Sequence, residues 1–173
     1  MTGVASEPRP MKFVVDCMLG KLAKWLKILG FDTVYHSAAD DDQILSLAQK
    51  ENRAILSRDT QLLARAGELS GRYIESEFWP DQVRQVLAAF DLWDKTAPYT
   101  RCLDCNTPLK PLSREKARNL VSPFVLERAK EFSLCPSCDR VFWQGTHFEA
   151  MEARLSELLR REGPGKAGSS DQA

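Results

Sequence analysis

The sequence lacks any long apolar run: no stretch of its 173 residues approaches the roughly 18 that a membrane-spanning helix needs, so no membrane partner is expected. Net charge is also absent, because 24 Lys and Arg residues balance 24 Asp and Glu residues. The whole-chain charge therefore argues neither for nor against a nucleic-acid partner, and only the distribution of charge can. The sequence contains no internal repeat.

The two ends have the composition of disordered segments. Residues 1–10 lack the apolar run of a signal peptide and are predicted to be a disordered leader. Residues 162–173 are rich in Gly, Ser and Ala and are predicted to be a disordered tail. Cytoplasmic localisation is therefore expected, and there paired cysteines bind metal more often than they form disulfides.

Residues 11–93 alternate between strand and helix signals, which predicts an α/β domain with a parallel sheet flanked by helices. Gly30 is a helix terminator, the acids at 40–42 suit a helix N-terminus, and Pro80 suits a first turn. The predicted strands are residues 12–15, 31–36, 54–57 and 72–75. The predicted helices are residues 18–29, 40–49, 60–66 and 80–90.

Residues 98–161 form a second predicted unit, joined to the first by a linker at residues 91–97. It holds two Cys-x-x-Cys pairs of equal spacing, Cys102/Cys105 and Cys135/Cys138. Two such turns complete a tetrahedral zinc site, and four thiolates leave no open position, so the zinc is predicted to be structural. The 29 residues at positions 106–134 separate the pairs, which requires an insertion. Helices are predicted at residues 113–119, 123–132 and 148–161.

Two further residues could compete for roles near a metal. Cys17 lies outside the two pairs, and a buried apolar cysteine is the simpler interpretation. His147 is a rival zinc ligand, although with four cysteines available we expect a packed or surface histidine.

Acidic residues follow three of the predicted strands: Asp16, the triplet at residues 40–42, and Asp59. The carboxyl ends of parallel strands share one edge, where functional groups gather. Clustered carboxylates favour a hard divalent cation such as Mg²⁺ or Mn²⁺. The triplet and Asp59 could instead cap helices, whereas Asp16 after an apolar strand has no evident structural role.

Six segments of the sequence carry a family resemblance. They are FVVDCMLGKLAKWLKILG at positions 13–30, DDQIL at 41–45, LSRD at 56–59, RCLDCN at 101–106, FSLCPSC at 132–138 and VFWQGTH at 141–147. In these segments the sequence resembles the Mut7-C family of PIN-like ribonuclease domains. The resemblance implies a PIN-like parallel sheet followed by a four-cysteine zinc ribbon. It also implies a metal-dependent ribonuclease in which Asp16, Asp41 and Asp59 are the catalytic, Mg²⁺- or Mn²⁺-binding acids.

Some positions of the family pattern stay open. Asp41 is preferred because it stands three residues before Ile44, with Asp40 and Asp42 as alternatives. Ser57 stands where related sequences more often have threonine and keeps the hydroxyl. A fourth acid, common in PIN-like nucleases, could be Glu75 or Glu77.

Basic and aromatic residues offer surfaces for RNA. Lys21, Lys24 and Lys27 recur every three residues and predict a basic stripe on the first helix, although a solvated face is the alternative. Arg58 could touch phosphate or pair with an acid. Residues 101–131 hold seven basic and four acidic side chains. Phe142 and Trp143 could stack on bases or form the ribbon's own core.

Three functions are therefore weighed. The first is a metal-dependent ribonuclease whose zinc ribbon aids RNA binding. The second is a non-catalytic RNA- or ribosome-binding adaptor with a vestigial acidic site. The third is a protein-interaction module that docks through its final helix.

Overall fold

A computed structural model describes residues 11–145 and 148–160, in which the first unit is built on a four-stranded parallel sheet. The strands lie in the order β2-β1-β3-β4 and every neighbouring pair is parallel. Their bounds are β1 Lys12–Val15, β2 Asp32–Tyr35, β3 Ala54–Ser57 and β4 Gly71–Tyr73. The predicted α/β class with a flanked parallel sheet is confirmed.

Helices cover both faces of this sheet. They are α1 Gly20–Ile28, α2 Asp41–Glu51, α3 Thr60–Ala66 and α4 Trp79–Ala89. The central strands alternate their side chains between the faces: Phe13 and Val15 join the core beneath α1 and α4, whereas Val14 packs with residues of α2 and α3. Both faces of β1 and β3 are buried, as in parallel sheets generally.

The first helix begins later than its sequence pattern predicted. Residues Cys17–Leu19 form a 3₁₀ turn, and α1 proper starts at Gly20 rather than at residue 18. Asp16 is extended and its carboxylate accepts from the Cys17 N–H, which caps the turn. Cys17, expected to be buried, is exposed because it lies in this turn.

The second unit contains a three-stranded antiparallel sheet that the strand signals did not reveal. Its strands are β5 Lys110–Leu112, β6 Phe132–Leu134 and β7 Val141–Trp143, in that order. Two short helices, α5 Arg114–Ala117 and α6 Pro123–Arg128, fill the insertion between β5 and β6. The predicted helix 123–132 is wrong at its end, because Phe132 instead begins β6 and packs against Ala117 and Ala129.

The final helix, α7 Phe148–Leu159, returns to the first unit and packs against α4. Leu155 and Leu158 are buried in the core that also contains α1 and α4. The apolar face that the third hypothesis offered to a partner is thus occupied inside the molecule. Its predicted end, Arg161, lies outside the described residues, as do the predicted leader and tail. None of the helices in the described ranges has both the length and the apolar character to cross a membrane.

Candidate functional site

The four paired cysteines converge on one point. Their Sγ atoms all lie within 4.8 Å of one another, with Cys105 and Cys135 3.2 Å apart and Cys102 and Cys138 3.8 Å apart. The two turns are built alike, because Asn106 N–H bonds to the Cys102 carbonyl and Asp139 N–H bonds to the Cys135 carbonyl. This cluster could hold a zinc ion with four sulfur ligands.

Three of the four thiols in this cluster, those of Cys102, Cys105 and Cys138, have a shifted pKa. A hydrogen bond involving Thr107 is the main cause that lowers the pKa of Cys105 to about 6. The Arg140 N–H acts in the same direction on Cys138, but desolvation and the neighbouring thiols outweigh it and raise the pKa of Cys138 to about 12. Burial likewise raises the pKa of Cys102. A cation bound by all four sulfur atoms would favour their thiolate forms, because metal ligation requires the deprotonated thiol. His147, the rival ligand, lies outside the described residues.

The first cysteine turn, residues 102–106, docks on the edge strand of the parallel sheet. Asn106, at φ 63°, accepts from the Thr33 N–H over 3.0 Å and donates to Asp32 Oδ1 over 2.7 Å. Arg53 also donates to that carboxylate oxygen over 2.6 Å. The Asn106 side chain thereby provides a hydrogen-bond partner for a main-chain group that an edge strand would otherwise leave unpaired.

Lys27 belongs to this docking contact, and its predicted place in an exposed stripe is wrong. Its side chain is 8% exposed, and Nζ donates to the Leu103 carbonyl over 3.1 Å. Desolvation lowers the pKa of Lys27, opposed by the charge of Asp104. Lys21 and Lys24 are exposed, so the basic surface of α1 consists of these two residues.

Asp16 occupies the carboxyl end of β1, at the centre of the sheet edge. Its side chain is 8% exposed, yet it forms no ion pair with the described residues. Oδ1 accepts from the Cys17 N–H over 2.6 Å and Oδ2 accepts from the Ser57 hydroxyl over 2.6 Å. The Cys17 thiol also bonds to this carboxylate, which is the main cause that raises the pKa of Cys17. A buried carboxylate with neutral donors alone can still bind a cation through its remaining lone pairs.

Ser57 connects this carboxylate to the next strand end. The same hydroxyl that donates to Asp16 accepts from the Asp59 N–H over 2.8 Å. Asp59 caps α3, because its Oδ1 accepts from the N–H groups of Gln61 and Leu62. Asp59 can therefore cap α3 and also bind a cation, since its Oδ2 is not used by the cap.

The three acids at residues 40–42 each form hydrogen bonds or ion pairs within the protein. Asp40 caps α2 in a reciprocal pair with Gln43. Asp41 Oδ2 accepts from Arg65 over 3.1 Å, and Arg65 also pairs with Asp42. Within residues 11–145 and 148–160, the cysteine cluster is the one group of three or more His, Cys, Asp or Glu residues close enough to share an ion. Asp41 therefore shares a sheet edge with Asp16 and Asp59 but does not meet them at one point.

Arg58 directly follows β3, and the two candidate fourth acids, Glu75 and Glu77, follow β4. Arg58 donates to the Ser76 carbonyl and pairs with Glu77, each over 3.3 Å. Glu77 is largely exposed, and the main-chain N–H of Glu75 bonds to Gln85. Of the two outcomes weighed for Arg58, pairing with an acid is the one found.

Three contacts at this site do not follow from the sequence pattern. They are the hydrogen bond from Ser57 to Asp16, the contact of Lys27 with the Leu103 carbonyl, and the ion pair of Arg65 with Asp41. The asparagine directly after Cys105 is consistent with a turn at this position, because Asn is among the residues that tolerate positive φ.

The model of the Mut7-C RNAse domain family matches residues 11–155, which include the sheet-edge aspartates and the four cysteines. No curated protein and no solved structure matches the chain significantly. The family match spans most of the 173 residues and agrees with the parallel sheet, its acidic edge and the cysteine cluster. The chain therefore belongs to the Mut7-C RNAse domain family.

Proposed function

We propose that this protein is a divalent-metal-dependent ribonuclease whose zinc ribbon helps to bind RNA. The observation that carries the proposal is Asp16, a buried carboxylate at the carboxyl edge of a parallel sheet that forms no ion pair within the described part of the chain. Such a group is poised for a cation, because burial of an uncompensated charge is costly. Membership of an RNAse domain family supports RNA as the substrate.

In this proposal the three aspartates have different tasks. Asp16 is held by Ser57 and the Cys17 N–H and would be the fixed ligand. Asp59 would use the oxygen that does not cap α3, and Asp41 would exchange Arg65 for the ion. When bound, Mg²⁺ or Mn²⁺ would supply an activated water and stabilise the leaving oxygen of the phosphodiester.

Basic side chains would position the RNA backbone near this edge. Lys21 and Lys24 are exposed on α1, which starts one short turn after Asp16. Arg58 is partly exposed beside Asp59 and would contact phosphate only after leaving Glu77. Lys27 does not contact RNA in this proposal, because its ammonium group donates to the Leu103 carbonyl in the first cysteine turn.

The proposal is tested by incubating the native protein with single-stranded and structured RNAs and Mn²⁺. Asp16→Asn and Asp59→Asn are each expected to lower the cleavage rate by a factor on the order of 100 or more, because the carboxylates act on the same ion. Asp91→Asn is the matched control, since Asp91 is exposed after α4, at φ 50° that asparagine tolerates. Equal cleavage by all four proteins would mean that the activity does not belong to this site.

A non-catalytic RNA-binding adaptor is the second candidate, and the pairing of Arg65 with Asp41 and Asp42 favours it. Arg65→Gln separates the two. For a nuclease, freeing Asp41 should lower the Mn²⁺ concentration needed for half-maximal cleavage. For an adaptor, RNA should bind without cleavage at any Mn²⁺ concentration, in the native protein and in the variant alike. The same titration in Asp40→Asn, Asp41→Asn and Asp42→Asn identifies the ligand within the triplet.

A further inference from the structure

Phe142 and Trp143 are the two aromatic residues of β7, and neither belongs to the ribbon's hydrophobic core. That core is formed around Ala117, Ala129 and Phe132, with Val141 packed against it. Trp143 is 43% exposed and Phe142 is half-buried. The expectation that these two aromatics form the ribbon's small core is therefore wrong, and their apolar surface is available for another purpose.

Both aromatics line a cavity of about 350 Å³ between the ribbon, residues 98–103 and α7. Tyr99 and Phe148 also line this cavity, and their ring centroids are 5.1 Å apart. A cavity lined by four aromatic side chains suits a flat π-system, which can stack on such surfaces whatever its sequence context.

The cavity also has a polar edge. Glu131 and Gln144 line it, and neither side chain has a hydrogen-bond partner within the described ranges. Arg101, which also lines it, is committed to the Gly30 and Asn106 carbonyls. A carboxylate acceptor and an amide that both donates and accepts are the groups that read the edge of an unpaired base.

A groove connects this cavity with the acidic edge of the sheet. Leu103 and Phe142 line both the cavity and a groove along α1, whose other end is lined by Gly20 and Tyr35. The Tyr35 hydroxyl donates to the Cys17 carbonyl over 2.9 Å, so the groove ends at the residue after Asp16. Between these ends it passes Lys24, which suits a phosphate backbone, and Arg140, which pairs with Asp104 and would contact phosphate only after leaving that carboxylate.

We infer that the cavity is a nucleobase-binding pocket, which takes an unpaired base of the RNA whose backbone follows the groove to Asp16. The inference rests on the proposed function for the identity of the ligand. It adds a recognition site that reads a base at a distance from the scissile bond. The pocket therefore requires single-stranded RNA on that side of the cleavage point, because a paired base cannot enter it.

The test measures binding, independently of cleavage, in the full chain carrying Asp16→Asn. The probes are a short single-stranded RNA and a ribose-phosphate strand of equal length without bases, both at low salt. Trp143→Ala is expected to weaken RNA binding by about 5- to 100-fold, the range of one lost base–aromatic stack. The same substitution should not weaken binding of the abasic strand. Phe124→Ala, which removes an exposed aromatic side chain from α6, is the matched control and should bind both probes unchanged.

Fluorescence of the more conservative Trp143→Phe variant provides a second readout. RNA should quench the tryptophan emission of the parent protein, and the quenching should largely disappear in Trp143→Phe although RNA still binds, because phenylalanine can stack. Zinc content and thermal unfolding establish that each variant is folded.

Three outcomes would overturn the inference. Trp143→Ala could bind RNA as tightly as the parent, or it could lose affinity equally for the abasic strand, which would make Trp143 a backbone contact. In either case the ribonuclease proposal stands, because it is judged by Mn²⁺-dependent cleavage. Failure of the parent to bind any RNA at low salt would also overturn the inference, while cleavage by the native protein with Mn²⁺ would still decide the ribonuclease proposal.

Discussion

The Ser57 hydroxyl donates a 2.6 Å hydrogen bond to Asp16 Oδ2, joining the ends of two neighbouring strands. Because the same hydroxyl accepts from the Asp59 N–H, it orients two of the proposed metal ligands at once. Ser57 is fully buried, so no water replaces this contact when the hydroxyl is removed.

Ser57→Ala is therefore expected to lower both stability and activity. The lost partner of a buried carboxylate should cost about 1–3 kcal/mol in the free energy of unfolding, measured by urea titration. Cleavage should fall by a factor on the order of 10, with a higher Mn²⁺ requirement, because a misplaced ligand binds the ion less well. Ser57→Thr keeps the hydroxyl and should retain the native Mn²⁺ dependence. If both variants shifted this dependence equally, orientation through the hydroxyl would be refuted.

Replacement of two lysines of α1 by methionine should have different effects, on stability for one and on RNA binding for the other. Lys27→Met is expected to lower the free energy of unfolding by about 1–3 kcal/mol, because the knuckle carbonyl that accepts from Lys27 is left without its donor. Lys24→Met should leave stability nearly unchanged and weaken RNA binding, with the slope of log affinity against log salt reduced by about one. The comparison needs only urea unfolding and salt-dependent binding. A stability loss confined to Lys24→Met would contradict the assignment of Lys27 to a structural contact and of Lys24 to RNA binding.

The four-cysteine cluster could hold a zinc ion, and loss of this site should destabilise the whole chain. Cys135→Ser is expected to abolish zinc binding and to lower the melting temperature by about 10 °C or more, because metal binding adds directly to folding free energy. The first cysteine turn also contacts β2 through Asn106, so the effect should extend to the parallel sheet. Metal analysis and calorimetry measure both effects. Cys17→Ser is the control and should retain one zinc ion per chain.

Asp32 should make stability depend on acidic pH. Burial alone would raise the pKa of Asp32, but hydrogen bonds and charges from Arg53, Asn106 and Arg101 outweigh burial and hold it below its ordinary value. The stabilisation is therefore fully present above the unfolded-state pKa of about 3.9 and is lost as pH falls through the folded-state pKa. Asp32→Asn should cost about 1–3 kcal/mol near neutral pH, because Arg53 is 6% exposed and keeps only Glu51 as a charged partner.

This difference between the native protein and Asp32→Asn should shrink as pH falls below about 4. Urea unfolding at neutral pH and at several acidic values measures it. A difference that stays constant over this range would show that the charge of Asp32 does not contribute through Arg53.

The local features of this protein could be predicted from sequence because their causes are local. Two Cys-x-x-Cys turns bring thiols into ligand spacing through their own backbone geometry, and β1, β3 and α3 have the predicted bounds. The placement of Asp16 and Asp59 at one edge also follows from the sequence, because strand–helix alternation implies parallel strands with their carboxyl ends aligned.

Contacts between units were decided by the tertiary structure alone. Helical periodicity places Lys27 in line with Lys24, but only the docking of the first cysteine turn on α1 buries Lys27. Arg65 reaches Asp41 because α2 and α3 cover the same face of the sheet. Likewise, Phe142 and Trp143 are apolar residues in a small metal module, where sequence favours a core. The insertion supplies a core of its own and leaves them on the cavity, because packing depends on which elements meet and not on the order of residues within them.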